Sequence, residues 1–319
     1  MVGRKLSQHQ RKRIQRAQDA ISSRDEDHFE GLVISHHGGR VLVESDDAEL
    51  SECSVKSNLG TLVCGDRVVC EIKGDAECRV MSILPRNNLL QRVDGFGQVK
   101  SVAANLTQIV VCLSVMPEPN LYLLDQYLIS AEQQGINAVI LLNKIDLLAA
   151  EIQDPFRLES IYQPLGYTVL FTSVISGQGM ETLTSLFNNQ TTILGGVSGV
   201  GKSSITQALL PEADIKIGDI SDANEEGRHT TRTSRLYHLA NSGHLIDTPG
   251  VRGFNPAFDR NSSFSAGFRE IDRFAANCRF ANCQHIKEPD CTVIAALSRG
   301  DIADSRYQHY LRMIDQLKS

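Results

Sequence analysis

The sequence predicts an α/β domain on a largely parallel sheet, set between a small β-barrel and a helical C-terminal segment held by a metal cluster. Three observations predict it. Strand-like and helix-like stretches alternate from about Ser101 onward, the pattern of a parallel sheet with covering helices. Short apolar–polar alternations separated by turn residues fill residues 31–85. Cys278, Cys283, His285 and Cys291 crowd into one polar stretch near the C-terminus.

The chain has 319 residues, enough for two or three domains. Its 41% hydrophobic and 22% charged content is ordinary for a globular protein, and no apolar run approaches bilayer length. The opening residues, Met1-Val-Gly-Arg-Lys-Leu-Ser-Gln, lack the apolar segment of a secretory signal. A cytoplasmic monomer with no membrane partner is therefore the expectation. A net charge of −6 excludes a general polyanion binder. Residues 1–20 nevertheless carry Arg4, Lys5, Arg11, Lys12, Arg13 and Arg16 against Asp19 alone. Such an extension either lies along phosphates or is a solvated tail.

In the N-terminal third, Gly31-Leu-Val-Ile-Ser and Arg40-Val-Leu-Val-Glu flank a turn at His36 to Gly39. Gly60-Thr-Leu-Val, Asp66 to Ile72 and Cys78 to Leu84 supply further strands. Four to five strands without a helix predict a small barrel of the oligonucleotide-binding type, whose surfaces commonly hold RNA. Cys53, Cys64, Cys70, Cys78 and Cys112 lie dispersed among these and later strand-like residues, as buried reduced thiols do.

Next come the strand Gln108 to Ser114, a helix over Leu121–Gln134 ended by Gly135, and the strand Ala138 to Leu142. A helix over Pro155–Leu165, the strand Thr168 to Thr172, a helix over Met180–Phe187 and the strand Thr191 to Leu194 follow. A glycine loop then leads into a helix over Lys202–Leu210. Ser234–Leu239 and His244–Asp247 form a hairpin around Asn241-Ser-Gly. The last helix places Tyr307, Tyr310, Leu311, Ile314 and Leu317 on one packing face.

The glycine loop is Gly196-Val197-Ser198-Gly199-Val200-Gly201-Lys202-Ser203, followed by Ser204. It fits Gly-x4-Gly-Lys-Ser between a strand and a helix, the setting in which backbone amides and a helix N-terminus cradle phosphates. Lys202 would reach the β- and γ-phosphates and the Ser203 hydroxyl would hold Mg²⁺. Asn143-Lys144-Ile145-Asp146 supplies a choice of base: a carboxylate accepts from N1–H and the amine of guanine, which adenine does not offer. Asn143 would tie this segment to the phosphate loop, and the Lys144 stem would lie over the ring. Ser173, at the next strand end, would help hold the guanine oxygen. Asp247-Thr-Pro-Gly250 matches Asp-x-x-Gly: Asp247 would bind Mg²⁺ through water and the Gly250 amide would touch the γ-phosphate. Gly227-Arg-His-Thr-Thr-Arg232 offers a threonine for Mg²⁺. Thr230 and Thr231 are not separable in the sequence, and Thr231 is the one taken.

The guanine motif precedes the phosphate loop, the inverse of the usual order. Joining the end of the Asp247–Gly250 group back to the start of the Asn143 group, with the break between Ser173 and the phosphate loop, restores that order for every motif, so one circular permutation explains them all. With these motifs in place, the chain resembles the ribosome small subunit-dependent GTPase A family. The resemblance rests on Asn143 to Asp146, Gly196 to Ser204, Gly227 to Thr231, Asp247 to Gly250 and the Cys278–Cys291 cluster. It implies an oligonucleotide-binding barrel, a circularly permuted P-loop GTPase domain and a C-terminal zinc domain. The expected divisions are 1–30 for the basic extension, 31–97 for the barrel, 98–257 for the GTPase domain and 258–319 for the zinc-binding helices. It also implies GTP hydrolysis to GDP, stimulated by the small ribosomal subunit during late assembly, with rRNA as a partner. The alternative is a GTP-dependent regulator of a non-ribosomal protein partner.

After Gly250 stands Val251, where many GTPases carry a water-orienting glutamine, so the isolated protein is expected to hydrolyse slowly. His229, beside the threonines, is the resident candidate to position the water; a surface histidine is the plainer alternative. Cys278, Cys283, His285 and Cys291 supply three thiolates and an imidazole, enough for one closed structural Zn²⁺ site. Because the permutation leads the chain from Gly250 straight into residues 254–319, a γ-phosphate pulling on Gly250 is expected to move the zinc segment.

Overall fold

The computed structural model describes residues 28–37, 39–56, 59–73, 77–211, 234–248, 255–256 and 267–318. The N-terminal extension with its basic residues, the segment holding His229, Thr230 and Thr231, and Gly250 with Val251 lie outside the described residues.

Strands β1 (His28–His37), β2 (Arg40–Ser45), β3 (Leu50–Val55), β4 (Arg67–Lys73) and β5 (Glu77–Ile83) are ordered β1-β2-β3-β5-β4. β4 also pairs with β1, which closes a five-stranded barrel of the oligonucleotide-binding type. β1 serves both neighbours, with Gly31–His37 against β2 and His28–Leu32 against β4, across a bulge between Val33 and Ser35. Val33, Val41, Val43, Val68 and Val80 alternate inward and fill the interior. Two expectations fail here. Gly60–Val63 is not a strand; the third strand is Leu50–Val55, whose polar sequence buries only Cys53. Cys53 and Cys78 are not free thiols but a disulfide. Their parallel strands set them directly opposite, with Cα atoms 4.4 Å apart, while Cys64, Cys70 and Cys112 stay free and buried.

A hairpin follows, β6 (Leu89–Val93) and β7 (Val99–Ala104), turned by Asp94, whose carboxylate accepts from the Phe96 and Gln98 amides. The α/β domain comprises β8 (Gln108–Ser114), α1 (Leu121–Gln134), β9 (Asn137–Asn143), α2 (Leu158–Tyr162), β10 (Thr168–Phe171), α3 (Met180–Leu186), β11 (Thr191–Gly195), α4 (Lys202–Leu209), β12 (Arg235–His238) and β13 (His244–Asp247). The expected helix over Pro155–Leu165 is broken into two 3-10 turns around α2, because Phe156 and Arg157 take left-handed backbone angles and Pro164 limits the far end. α1 begins where the Asn120 side chain accepts the Leu123 amide and ends on Gly135 at φ 65°.

The sheet runs β10-β9-β8-β11-β13-β12, parallel except for β12. β8 shows why it reads as one apolar run: Ile109, Val111 and Leu113 pack on the α1 and α2 face, while Val110 and Cys112 pack on the α3 and α4 face. β12 pairs with β1 at Ser35 and Arg235, so sheet and barrel are continuous. Asp66, fully buried in the barrel, accepts from Arg86 at 2.5 and 2.7 Å and from the Val63 amide, which fixes the strand leading out. After β14 (Asn255–Pro256), paired with β6, come α5 (Arg269–Ala275), α6 (Thr292–Arg299) and α7 (Asp304–Lys318). On α7, Tyr307 and Tyr310 are buried and Leu311 and Ile314 partly so; the Leu317 side chain lies outside the described residues. No described helix is long and apolar enough to cross a membrane.

Candidate nucleotide site and metal centre

A parallel sheet points the carboxyl ends of its strands to one edge, and ligands of open α/β sheets bind there. β9 ends in Asn143, β10 leads to Ser173, β11 opens the glycine loop and β13 ends in Asp247, so one edge gathers all four motifs. Sequence separation is irrelevant to that gathering; strand adjacency decides it.

Asn143, 2% exposed, donates through Nδ2 to the Val200 carbonyl at 3.0 Å and accepts from Thr172 Oγ1 at 3.4 Å. Lys144 Nζ donates to the Gly199 and Met116 carbonyls at 2.5 and 2.8 Å. Lys144 thus spans from its own motif to the glycine loop. Asp146 is exposed, and Ser173 Oγ donates to its carboxylate at 2.6 Å while accepting from the Ser176 amide. Lys202 Nζ folds back on the Gly196 and Val197 carbonyls at 2.8 and 2.6 Å. Gly201 opens α4 at φ 95°, and a Cβ there would run into the Asn143 side-chain amide. Glycine is required at that point by conformation and by close approach together.

Ser198 and Gly199 are exposed and Val200 is buried, so the loop presents its middle to solvent and anchors one side. Ser203 and Ser204 stand in the first turn of α4, and Asp247 ends the strand that pairs with β11. His229, Thr231 and Gly250 fall outside the described residues. The sequence reading missed Thr172, which helps orient Asn143, and Met116, whose carbonyl holds Lys144 before a cis peptide to Pro117. No spacing marks either residue.

The second centre lies between α5 and α6. Cys278, Cys283, His285 and Cys291 bring their ligand atoms within 4.8 Å of one another. Cys278 and Cys291 sulfurs are 3.8 Å apart, and His285 Nδ1 is 3.6 and 3.5 Å from them. Thiolates bonded at about 2.3 Å to one tetrahedral ion stand about 3.8 Å apart, so the donor set fits a metal. Burial keeps the His285 imidazole below its ordinary pKa, in the neutral form that ligates. Against the upward push of burial, the Thr292 hydroxyl and the Thr292 and Val293 amides hold the Cys278 thiol below its usual range. Burial, together with Cys291 and Cys278, pushes Cys283 up to about 12, so this thiol holds its proton until a cation displaces it, and metal binding here would release protons.

Glu288, which no motif announced, shapes this turn. Its carboxylate accepts the Gln284, Ile286 and Lys287 amides at 2.9, 2.8 and 3.1 Å. These amides overcome the burial that would raise it and hold the carboxyl down at about 2. From α7, the Tyr307 and Tyr310 hydroxyls donate to the His285 and Gln284 carbonyls at 2.6 and 3.1 Å.

Comparison with known proteins bears on the whole arrangement. Residues 83–257 match the family model described as RsgA GTPase. A protein of Pseudomonas savastanoi pv. phaseolicola named "Small ribosomal subunit biogenesis GTPase RsgA" is 40% identical over 292 residues, covering 90% of this chain and 85% of that protein. One of the same name from Hahella chejuensis is 37% identical over 339 aligned positions, covering 100% and 97%. Among solved structures, YjeQ from Thermotoga maritima matches with TM-score 0.74 and 30% identity over 92% of this chain and 99% of that one. YloQ, described as a circularly permuted GTPase, matches with TM-score 0.71 and 28% identity over 92% and 96%.

Proposed function

The chain belongs to the RsgA GTPase family, and from that premise we propose that it hydrolyses GTP in the biogenesis of the small ribosomal subunit. One observation carries the reading: Asn143, from the displaced guanine motif, reaches the Val200 carbonyl of the phosphate loop, so the permuted halves make a single site. The names carried by the relatives favour the ribosomal particle over a non-ribosomal protein partner.

In this reading Asp146 accepts from the guanine N1–H and amine, while the Ser173 side holds the guanine oxygen. The loop from Gly196 to Ser204 surrounds the phosphates. Lys202 exchanges its two carbonyl partners for phosphate oxygens. Ser203, Thr231 and, through water, Asp247 would hold Mg²⁺, which when bound supplies neutralisation of the phosphate charge. His229 positions the attacking water, and the Gly250 amide senses the γ-phosphate. A His229→Ala variant is expected to lose most subunit-stimulated turnover while still binding GDP; a wild-type stimulated rate would remove His229 from the mechanism.

Cys278, Cys283, His285 and Cys291 would hold one Zn²⁺ as a structural staple, since four protein donors leave no position for substrate. Residues 1–30, 31–97, 98–257 and 258–319 are the working units: basic extension, barrel, GTPase domain and zinc-binding helices. The extension, barrel and zinc helices form the rRNA-facing surfaces of a cytoplasmic monomer. The test is GTP turnover with and without purified small subunits across a salt series. Stimulation that falls steeply with salt is expected, because phosphate contacts release counterions. Turnover indifferent to the subunit would contradict the proposal.

A further inference from the structure

Helix α1 touches both the phosphate loop, through Tyr127, and the C-terminal helices, through Asp125, Tyr122 and Glu132. Tyr127 is 1% exposed, and its hydroxyl accepts a hydrogen bond from the Gly196 amide at 3.1 Å. Its ring lies so close to the chain that a Cβ on Gly195 would stand 2.7 Å from Tyr127 Cε1. Burial raises the phenol well above its usual range, so the hydroxyl stays protonated. Two residues earlier on the helix, Asp125 is fully buried. It accepts from Arg306 Nη1 at 2.5 Å and from the Tyr162 hydroxyl at 2.8 Å, and lies 2.5 Å from His309 Nδ1.

Arg306, 1% exposed on α7, completes a bridge by donating Nε and Nη2 to Glu270 of α5 at 2.7 and 3.0 Å. Its guanidinium also lies over the Phe268 ring, 4.6 Å from the centroid. Residues two apart on a helix do not share a face. Tyr127 and Asp125 therefore address different neighbours of the same rigid element. A buried charge cluster of this kind has few alternative arrangements, because one guanidinium bridges both carboxylates while Tyr162 and His309 hold Asp125 from other sides.

We infer that Tyr127 is a positioning residue for GTP turnover, and that α1, clamped through Asp125, Arg306 and Glu270, carries the loaded state of the loop to α5 and α7. The inference rests on the reading of Gly196–Ser204 as the GTP site. It adds a route separate from the covalent one after Asp247. The Tyr127 hydroxyl holds the Gly196 amide in the arrangement that receives phosphate. Without it the loop spends part of its time in other arrangements, and apparent affinity falls by the competent fraction. Ground state and transition state lose alike, so KM moves and kcat does not.

The test is Tyr127→Phe, which keeps the ring against Gly195 and removes only the hydroxyl. Expected are about fivefold weaker binding of a fluorescent GDP analogue and about fivefold higher KM for GTP, the scale of one lost hydrogen bond, with kcat within about twofold. Hydrogen exchange is then compared with and without saturating GDP. Wild-type protein is expected to slow exchange in α5 and α7 on loading, and the variant to lose most of that response at saturation. Wild-type affinity in the variant, an undiminished response, or wild-type helices indifferent to GDP would each overturn the inference. A lower melting temperature with the response intact would also overturn it, leaving Tyr127 a packing residue only. Should Tyr127→Phe fail to fold, Arg306→Lys serves, since one ammonium does not reproduce the fork to both carboxylates. Coupling is reciprocal, so that variant must weaken GDP binding from outside the site; unchanged affinity with loosened helices overturns the hand-over. If the wild-type chain binds no guanine nucleotide, the GTP-site reading itself fails before any variant is compared.

Discussion

Replacing Asn143 with alanine perturbs the point where the two permuted halves meet. Asn143 makes two side-chain contacts, 3.0 Å to the Val200 carbonyl and 3.4 Å from Thr172 Oγ1. The second is at the weak end of hydrogen-bond geometry, so the Val200 contact dominates. Alanine leaves that carbonyl without this partner in a buried setting, a loss of about 1–3 kcal/mol. The empty loop relaxes toward water and recovers part of it. A loop closed on nucleotide does not, so most of the loss falls on binding. At about 1.4 kcal/mol per factor of ten, GDP and GTP should bind about 5- to 150-fold more weakly. Titration of a fluorescent GDP analogue measures this, and urea unfolding of the free protein measures the remainder. An affinity within twofold of wild type, with a clearly lower urea midpoint, would refute the reasoning: Asn143 would then only brace the core.

Arg306→Met takes both guanidinium bonds from the buried Glu270 and leaves the buried Asp125 to Tyr162 and His309, and breaking such a cluster typically costs about 3–5 kcal/mol. Urea unfolding should register that loss; a change below about 1 kcal/mol would mean the carboxylates find water. Glu288→Gln keeps an acceptor for the Gln284–Lys287 amides but removes the charge. Because the folded carboxyl is held at about 2, below its ordinary 4.5, its stabilisation is present above about pH 4.5 and disappears as pH falls toward 2. The wild-type melting temperature should therefore approach that of the variant across this window, and a gap independent of pH would contradict the assignment.

The parts legible in the sequence were those whose chemistry is local. The phosphate loop, the Asn143–Asp146 run and the Cys278–Cys291 cluster each declare themselves within a few residues, and the restored motif order tied the first two together. β3 escaped because Leu50–Val55 is a polar strand with one buried residue, and Cys53 with it, since its disulfide partner Cys78 is set by strand register rather than spacing. The β6–β7 hairpin escaped although Asp94-Gly95 is a turn signal, because β6 and β7 bury few side chains on a regular period. On α7 the apolar stripe pointed to Tyr307 and Tyr310, yet the most deeply set residue is Arg306. Its partner Asp125 lies 181 positions away, and no periodicity reports an ion pair across that gap. Tyr127 was not singled out for the same reason, its contact with Gly196 spanning 69 positions.

The central claim is that one guanine-specific site is assembled across a circular permutation. Competition of GTP and ATP against a fluorescent GDP analogue on the wild-type chain tests it most directly. A carboxylate at Asp146 facing the guanine edge predicts displacement by GTP and discrimination against ATP on the order of 10⁴. Displacement by ATP at concentrations comparable to GTP would contradict the claim, and would leave Asn143–Asp146 a turn that merely resembles a guanine motif.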